Sequence, residues 1–330
     1  MKHIVLSSSV ELSRETLVFV WSFNKHHQKT RNDYQIHILS YDLPDGILDR
    51  LRRMDPKIII FDLTQYATEY NWSSSTSNKV LTCFNGRIKY ASTLDGIVMI
   101  SDVDYFWVSN TDVLFDLASL GYVVGPNAGF GFDTTLMDNP WRLNHKCKAE
   151  FECRALPIPD GYEDRLKGKR IKFLAFPYIL DVNKYRIVLT ETERLFYYHR
   201  FKALKSKNSL DFIKIHWMMN NMITAYVPVE KIYPVPPHQL GGIRNNMVLF
   251  DTGIFDDDGI LVARDYSPVY MVHGRFFGGV QKCYNSFLEH VYNRKLEDIK
   301  KACKGSVLLL ENEYAKLLKE AMDGSRYMEM

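Results

Sequence analysis

The chain has 330 residues, 46% hydrophobic and 25% charged, the composition of an ordinary globular protein, and a net charge of only +3, which excludes a polycation. No apolar run approaches the roughly 20 residues that span a bilayer, and the opening Met1-Lys2-His3-Ile4-Val5-Leu6-Ser7 is too short for a secretory leader and reads as a first strand. Five cysteines (Cys83, Cys147, Cys153, Cys283 and Cys303), an odd set without a C-x-x-C pair, point to reduced thiols in a cytoplasmic protein, not to a disulfide frame or a zinc site.

In chain order, Lys2 to Ser7, Tyr34 to Ser40, Lys57 to Asp62 and Gly96 to Ser101 are predicted strands. Amphipathic stretches between them, Asp45 to Arg53 and Lys79 to Thr93, have helical spacing. Such alternation predicts a mainly parallel α/β sheet with helices on both faces. The serine-rich run 71–77 reads as a mobile loop before a helix, with Ser77 or Asn78 as its cap. Thr111 to Ser119 is a short helix, and Tyr122 to Phe132 returns to strand-like sequence. Residues 136–222 read as a helical, partly basic insertion within a single catalytic domain spanning 1–330. Met247 to Phe250 and Ile260 to Ala263 are strands joined by the acidic turn Asp256-Asp257-Asp258-Gly259, and Pro268 to Val272 is a last strand. Gln281 to Ala302 and Glu311 to Met322 close the chain as helices.

The chemistry concentrates at Ile97-Val98-Met99-Ile100-Ser101-Asp102-Val103-Asp104-Tyr105-Phe106-Trp107, where a buried strand runs into two carboxylates one residue apart. Ligands of open α/β sheets bind outside the carboxyl ends of strands. In extended chain, alternate side chains share a face, so Asp102 and Asp104 can converge on one ion. Their hard oxygens suit Mn²⁺ or Mg²⁺. The rival pair Asp256 and Asp258 sits in a glycine-containing hairpin turn, where acids are simply solvated. Upstream, Arg87 and Lys89 lie on the helix leading into the strand and could meet diphosphate oxygens. Downstream, Gly125-Pro126-Asn127-Ala128-Gly129 offers an amide among small residues that let a ligand approach the backbone. Late in the chain, His273 ends a strand beside Gly274, with Gly278-Gly279 following.

These elements in this order resemble the GT-A glycosyltransferases, which have a Rossmann-like fold, and especially the retaining glycogenin-like family. The resemblance makes Asp102-Val103-Asp104 the D-x-D element that grips the metal and the donor. It makes Arg87 a donor-phosphate contact, with Lys89 beside it. Asn127-Ala128-Gly129, trailed by Trp141-Arg142, is similar to the N-A-G strand whose asparagine contacts the donor sugar. His273 takes the place of the third metal ligand, although Lys282 lies further on than that family's lysine and no Pro-Trp follows it.

A second resemblance covers the same region. Phe276-Phe277-Gly278-Gly279 looks like the F-F-G-G of the blood-group and α-1,3-galactosyltransferase family, which would put His273, Gly278 and Gly279 at the acceptor. Aligning that family's late lysine with Lys316 offers Glu311, or else Glu313, as the carboxylate facing the anomeric carbon. A surface helix bearing two glutamates is the plainer reading of those residues.

Two basic segments, Arg165 to Lys172 (with Lys167, Lys169 and Arg170) and His199 to Lys207, imply a polyanionic partner or a solvated surface. The expectation is a metal-dependent glycosyltransferase using a nucleotide sugar, with a UDP-sugar as donor, and transferring with retention. Its acceptor would be a glycan, a lipopolysaccharide or a hydroxylated base in DNA. A nucleotidyltransferase and a non-catalytic sugar-binding module are the alternatives. A haloacid-dehalogenase-like phosphatase, which wants Thr or Val where this chain has Phe106, is disfavoured.

Overall fold

The strand β1 (Lys2–Ser8) points Ile4 and Leu6 to one side and Val5 to the other, and all three are fully buried. A strand buried on both faces needs helices above and below it, which is why its sequence is continuously apolar. The computed structural model describes residues 1–69, 76–126, 174, 176–205, 219, 222–223, 225–236, 239–240, 254–255, 261–262 and 268–273.

β1 pairs in parallel with β2 (Tyr34–Ser40) and with β4 (Ile97–Ser101), while β3 (Ile59–Asp62) extends the sheet beyond β2. With β6 (Val123–Pro126), β7 (Tyr178–Asp181) and β8 (Ile232–Val235), the order is β3-β2-β1-β4-β7-β6-β8, and β7 runs against both of its neighbours. The mainly parallel α/β sheet expected from the alternation is therefore present. On one face, α1 (Ser13–His26), α2 (Asp45–Met54) and α5 (Asp112–Ser119) bury Phe19, Phe23, Ile47, Leu51 and Phe115. On the other, α4 (Thr76–Ser92) and α6 (Val182–Lys205) bury Phe84, Ile88, Val188 and Leu189. The short α3 (Thr64–Glu69) leads from β3 towards α4.

Four local results were not foreseen. α4 starts at Thr76, so Ser77 and Asn78 lie within the helix and do not cap it. α1 carries the near-continuous apolar run Leu17-Val18-Phe19-Val20, which is buried throughout and so blurs the helical period. β7 lies inside the stretch read as helical; with only Tyr178, Ile179 and Leu180 fully buried between Pro177 and a helix, it shows no period-2 signature. Antiparallel strands β9 (Ile254–Phe255) and β10 (Leu261–Val262) flank the acidic stretch, and Met247 to Phe250, read as a strand, falls outside the described residues. The acids themselves, like residues 127–173, fall outside the described residues.

Glycine is required at one junction that sets the site's strand. Gly96 has φ +91°, a Cβ there would meet the Met1 carbonyl oxygen at 3.0 Å, and its own carbonyl accepts from the Val182 amide at 2.9 Å. It starts β4 and holds the beginning of α6 against it.

The last described element is β11 (Met271–His273), which pairs antiparallel with β5 (Tyr105–Trp107) in a small separate sheet. It brings the late part of the chain to the carboxyl end of β4.

Candidate functional site

The strand order reverses about β1, since β2 and β3 lie to one side of it and β4 to the other. Such a switch point is where ligands of open α/β sheets gather, outside the carboxyl ends of the strands. Leu6 of β1 is in register with Ser101 of β4, so the chain leaves β4 into Asp102 beside the end of β1.

Asp102 and Asp104 have different partners. Asp102 pairs with Arg87, whose Nη1 lies 2.6 Å from its Oδ1, and its side chain keeps 30% exposure. The same Arg87 nitrogen donates to the Ser101 carbonyl at 2.7 Å. The guanidinium is almost fully buried between two rings, its carbon 4.9 Å from the Phe84 centroid and 4.5 Å from that of Phe176. Phe84 stands three residues before Arg87 on α4 and so shares its face. A desolvated cation over an aromatic face gains on the order of 2 kcal/mol, which offsets part of the cost of burial. Arg87 therefore anchors the turn after β4.

Asp104 meets a residue from late in the chain. It is buried, and its Oδ1 lies 3.5 Å from Nε2 of His273, also buried. The pairing of His273 with Tyr105 in the β5–β11 ladder places that imidazole beside the carboxylate, 169 residues away in sequence, from positions 104 and 273. Val103 is buried between the two acids and belongs to the core on the α1 face. Tyr105 stands edge-on to His273 with centroids 4.6 Å apart and donates its hydroxyl hydrogen to the Phe176 carbonyl at 2.9 Å. Burial first, and then the neighbouring Asp102 and Asp104, raise the Tyr105 hydroxyl well above its ordinary range, so it stays a donor.

The structure thus brings Arg87, Asp102, Asp104 and His273 to one place. Lys89 is elsewhere: two residues on, about 200° around the helix, its Nζ lies over the Tyr66 ring at 4.6 Å. Among the described residues, no group of three or more His, Cys, Asp and Glu side chains is gathered as a metal-ion site; Asp104 and His273 meet as a pair, with Asp102 turned to Arg87. Asn127, Ala128, Gly129, Lys167, Lys169, Arg170, Gly278, Gly279, Glu311 and Glu313 lie outside the described residues. No helix among the described residues is long and apolar enough to cross a membrane.

Sequence reading did not reach Tyr105 or the Phe84–Phe176 clamp. The i, i+3 spacing of Phe84 and Arg87 was an available signal, whereas nothing local to Phe176 foretells its ring partner.

Arg87 gives a stability test. Arg87→Ala empties the space between two rings and leaves Asp102 without its cation; because Asp102 is partly exposed, the expected cost is about 2–3 kcal/mol, below that of a fully buried pair. Urea denaturation would check it, and a midpoint unchanged from the parent would contradict the anchoring role.

No family model matches the chain, and no curated protein matches it. Among solved structures, the galactosyltransferase LgtC in complex with donor and acceptor sugar analogs is 12% identical, covering 82% of this chain and 86% of its own, with a TM-score of 0.45. The apo structure of WbbM, a bifunctional glycosyltransferase, is 13% identical over 91% of this chain and 51% of its own, with a TM-score of 0.48. Mouse xyloside xylosyltransferase 1 is 12% identical over 83% of this chain and 98% of its own, with a TM-score of 0.42.

Proposed function

We propose that the protein is a GT-A type, metal-dependent glycosyltransferase that moves a sugar from a nucleotide-sugar donor to a hydroxyl acceptor. The observation that carries this is the β5–β11 ladder, which sets His273 against Asp104 where β4 ends, while Arg87 reaches the same turn from α4. A carboxylate and an imidazole nitrogen 3.5 Å apart form a mixed oxygen–nitrogen donor pair. That pair suits Mn²⁺ better than Mg²⁺, which prefers oxygen alone.

Asp104 and His273 would hold the cation, with Asp102 adjoining. When bound, the ion supplies positive charge for the diphosphate leaving group. The chain's own residues do the rest of what is described here. Arg87 fixes the Asp102 carboxylate and the Ser101 carbonyl, so the turn carrying both acids is preorganised. Asp102 keeps enough exposure to meet a polar group of the donor. Burial of Asp104 and His273 keeps water away from the pair and strengthens any charge interaction made there.

The proposal takes a UDP-sugar as donor and, from the family resemblance, retention of the anomeric configuration. A glycan hydroxyl is the acceptor proposed. Transfer that instead falls steeply as salt is raised would mark a polyanionic acceptor such as DNA.

A thermal-shift screen of nucleotide sugars with and without Mn²⁺ tests the reading. The expected result is stabilisation that needs both ligands and grows with donor concentration, with free nucleoside diphosphate released once acceptor is added. If no nucleotide sugar stabilises the protein in Mn²⁺, the reading is lost; pyrophosphate as the product would assign a nucleotidyltransferase instead.

A further inference from the structure

Tyr105 is in contact with both halves of the site. Its ring stands edge-on to His273 at 4.6 Å, and its hydroxyl donates to the carbonyl of Phe176, 71 residues away, at 2.9 Å. The Phe176 ring in turn lies 4.5 Å from the Arg87 guanidinium that holds Asp102. A second tyrosine tethers the same segment: the Tyr178 hydroxyl donates to the Leu174 carbonyl at 3.1 Å, and the Tyr178 ring packs on Phe176 at 4.5 Å. Phenylalanine would fill the space at position 105 equally well. A hydroxyl in so buried a place is costly unless it is bonded, so its presence points to the bond it makes.

We propose that Tyr105 is a positioning residue that joins the Asp104–His273 pair to the Arg87–Asp102 pair. The ring sets the plane of the imidazole, and the hydroxyl sets the segment that carries Phe176 and so the depth of Arg87. The two functions belong to different parts of one side chain, which lets them be separated. In the terms of the proposed function, the ring governs the cation and the hydroxyl governs the donor.

Tyr105→Phe keeps the ring and removes the tether, and Tyr105→Leu removes both. Calorimetric titration of Mn²⁺ into donor-free protein should give a Kd for Tyr105→Phe within about twofold of the parent. Its donor KM should rise about fivefold with kcat little changed. Tyr105→Leu should weaken Mn²⁺ binding about tenfold, the scale of losing a group that orients a metal ligand. Phe176→Leu keeps the carbonyl that accepts from Tyr105 and removes the ring over Arg87, so it tests the step from this segment to Arg87 if Tyr105→Leu fails to fold; donor KM should rise while Mn²⁺ binding is kept.

The proposal rests on the glycosyltransferase reading only for its donor and metal readouts. Side-chain NMR of the ligand-free protein tests the coupling without it. Tyr105→Phe should move the Arg87 Nε–Hε signal and leave the His273 ring signals in place, and Tyr105→Leu should move both. If the parent binds neither Mn²⁺ nor a nucleotide sugar but these shifts appear, the function is wrong and the coupling stands. If both variants merely lower Tm and leave the Arg87 and His273 signals unmoved, Tyr105 is packing alone and the proposal is overturned.

Discussion

Asp104→Asn should reduce sugar transfer on the order of a thousandfold, equivalent to about 4 kcal/mol of transition-state stabilisation, while thermal stability and circular dichroism stay near those of the parent. The substitution is nearly isosteric at a buried position, so the packing around it is kept. What it removes is the negative charge beside His273. An amide oxygen is a far poorer ligand for a divalent cation than a carboxylate. His273→Ala should fall in the same direction, whereas Asp102→Asn, whose carboxylate is turned to Arg87, should lose less. EDTA should abolish parental activity and Mn²⁺ restore it. Undiminished transfer by Asp104→Asn, or by the parent in chelator, would remove the metal mechanism.

Mild acid should weaken the fold at a pH above that at which ordinary carboxylates titrate. His27 is fully buried, stacked on Phe23 with centroids 4.1 Å apart and edge-on to Trp107 at 5.2 Å. The Thr111 amide donates to its Nε2 at 3.1 Å, so that nitrogen is an acceptor and Nδ1 carries the hydrogen directed at the Phe23 carbonyl, 3.0 Å away. Thr111 begins α5, and a proton on Nε2 would face that amide hydrogen and break the contact between α1 and α5. Burial above all lowers the His27 pKa to about 4, from an ordinary value of 6.5. His37, buried in β2 between His3 at 2.9 Å and the Tyr90 hydroxyl at 3.0 Å, is lowered to about 3, chiefly by burial and then by His3.

In both cases the unfolded chain takes up a proton near pH 6.5 that the folded chain refuses until pH 4 or 3. Stability is therefore complete above pH 6.5 and falls as the pH drops through that value towards the folded pKa. By pH 5 each histidine should cost about 2 kcal/mol, or about 4 kcal/mol together. Urea titrations at pH 8, 6.5 and 5 would show the midpoint fall between the last two, and the fall should lessen in His27→Phe. A midpoint constant across that interval would contradict the burial of these neutral rings.

The two acids of the candidate site were legible in the chain because their signal is local. A strand of five residues ending in Asp102-Val103-Asp104 declares itself by its apolar run and its abrupt acids. Arg87, expected from the preceding helix at the donor phosphates, pairs in the structure with Asp102. What the sequence could not show is that the two acids have different partners. Alternation placed both acids on one face, yet Asp102 to Asp104 form a bend between β4 and β5 and not a strand, and Val103 is buried in the core. Lys89 was read with Arg87 because they are close in sequence, and helical geometry sends it to Tyr66 instead.

By itself, the sequence determined the alternating α/β plan and the strand that presents the acids, because hydrophobic period and the identity of charged groups are properties of short segments. Only the tertiary structure decided that His273 stands beside Asp104, that Phe176 closes over Arg87 and that Tyr105 touches both. Those meetings depend on how β11 registers on β5 and how β7 enters between β4 and β6. Such pairings are chosen by the burial of the whole sheet, a free energy that no single stretch of residues carries.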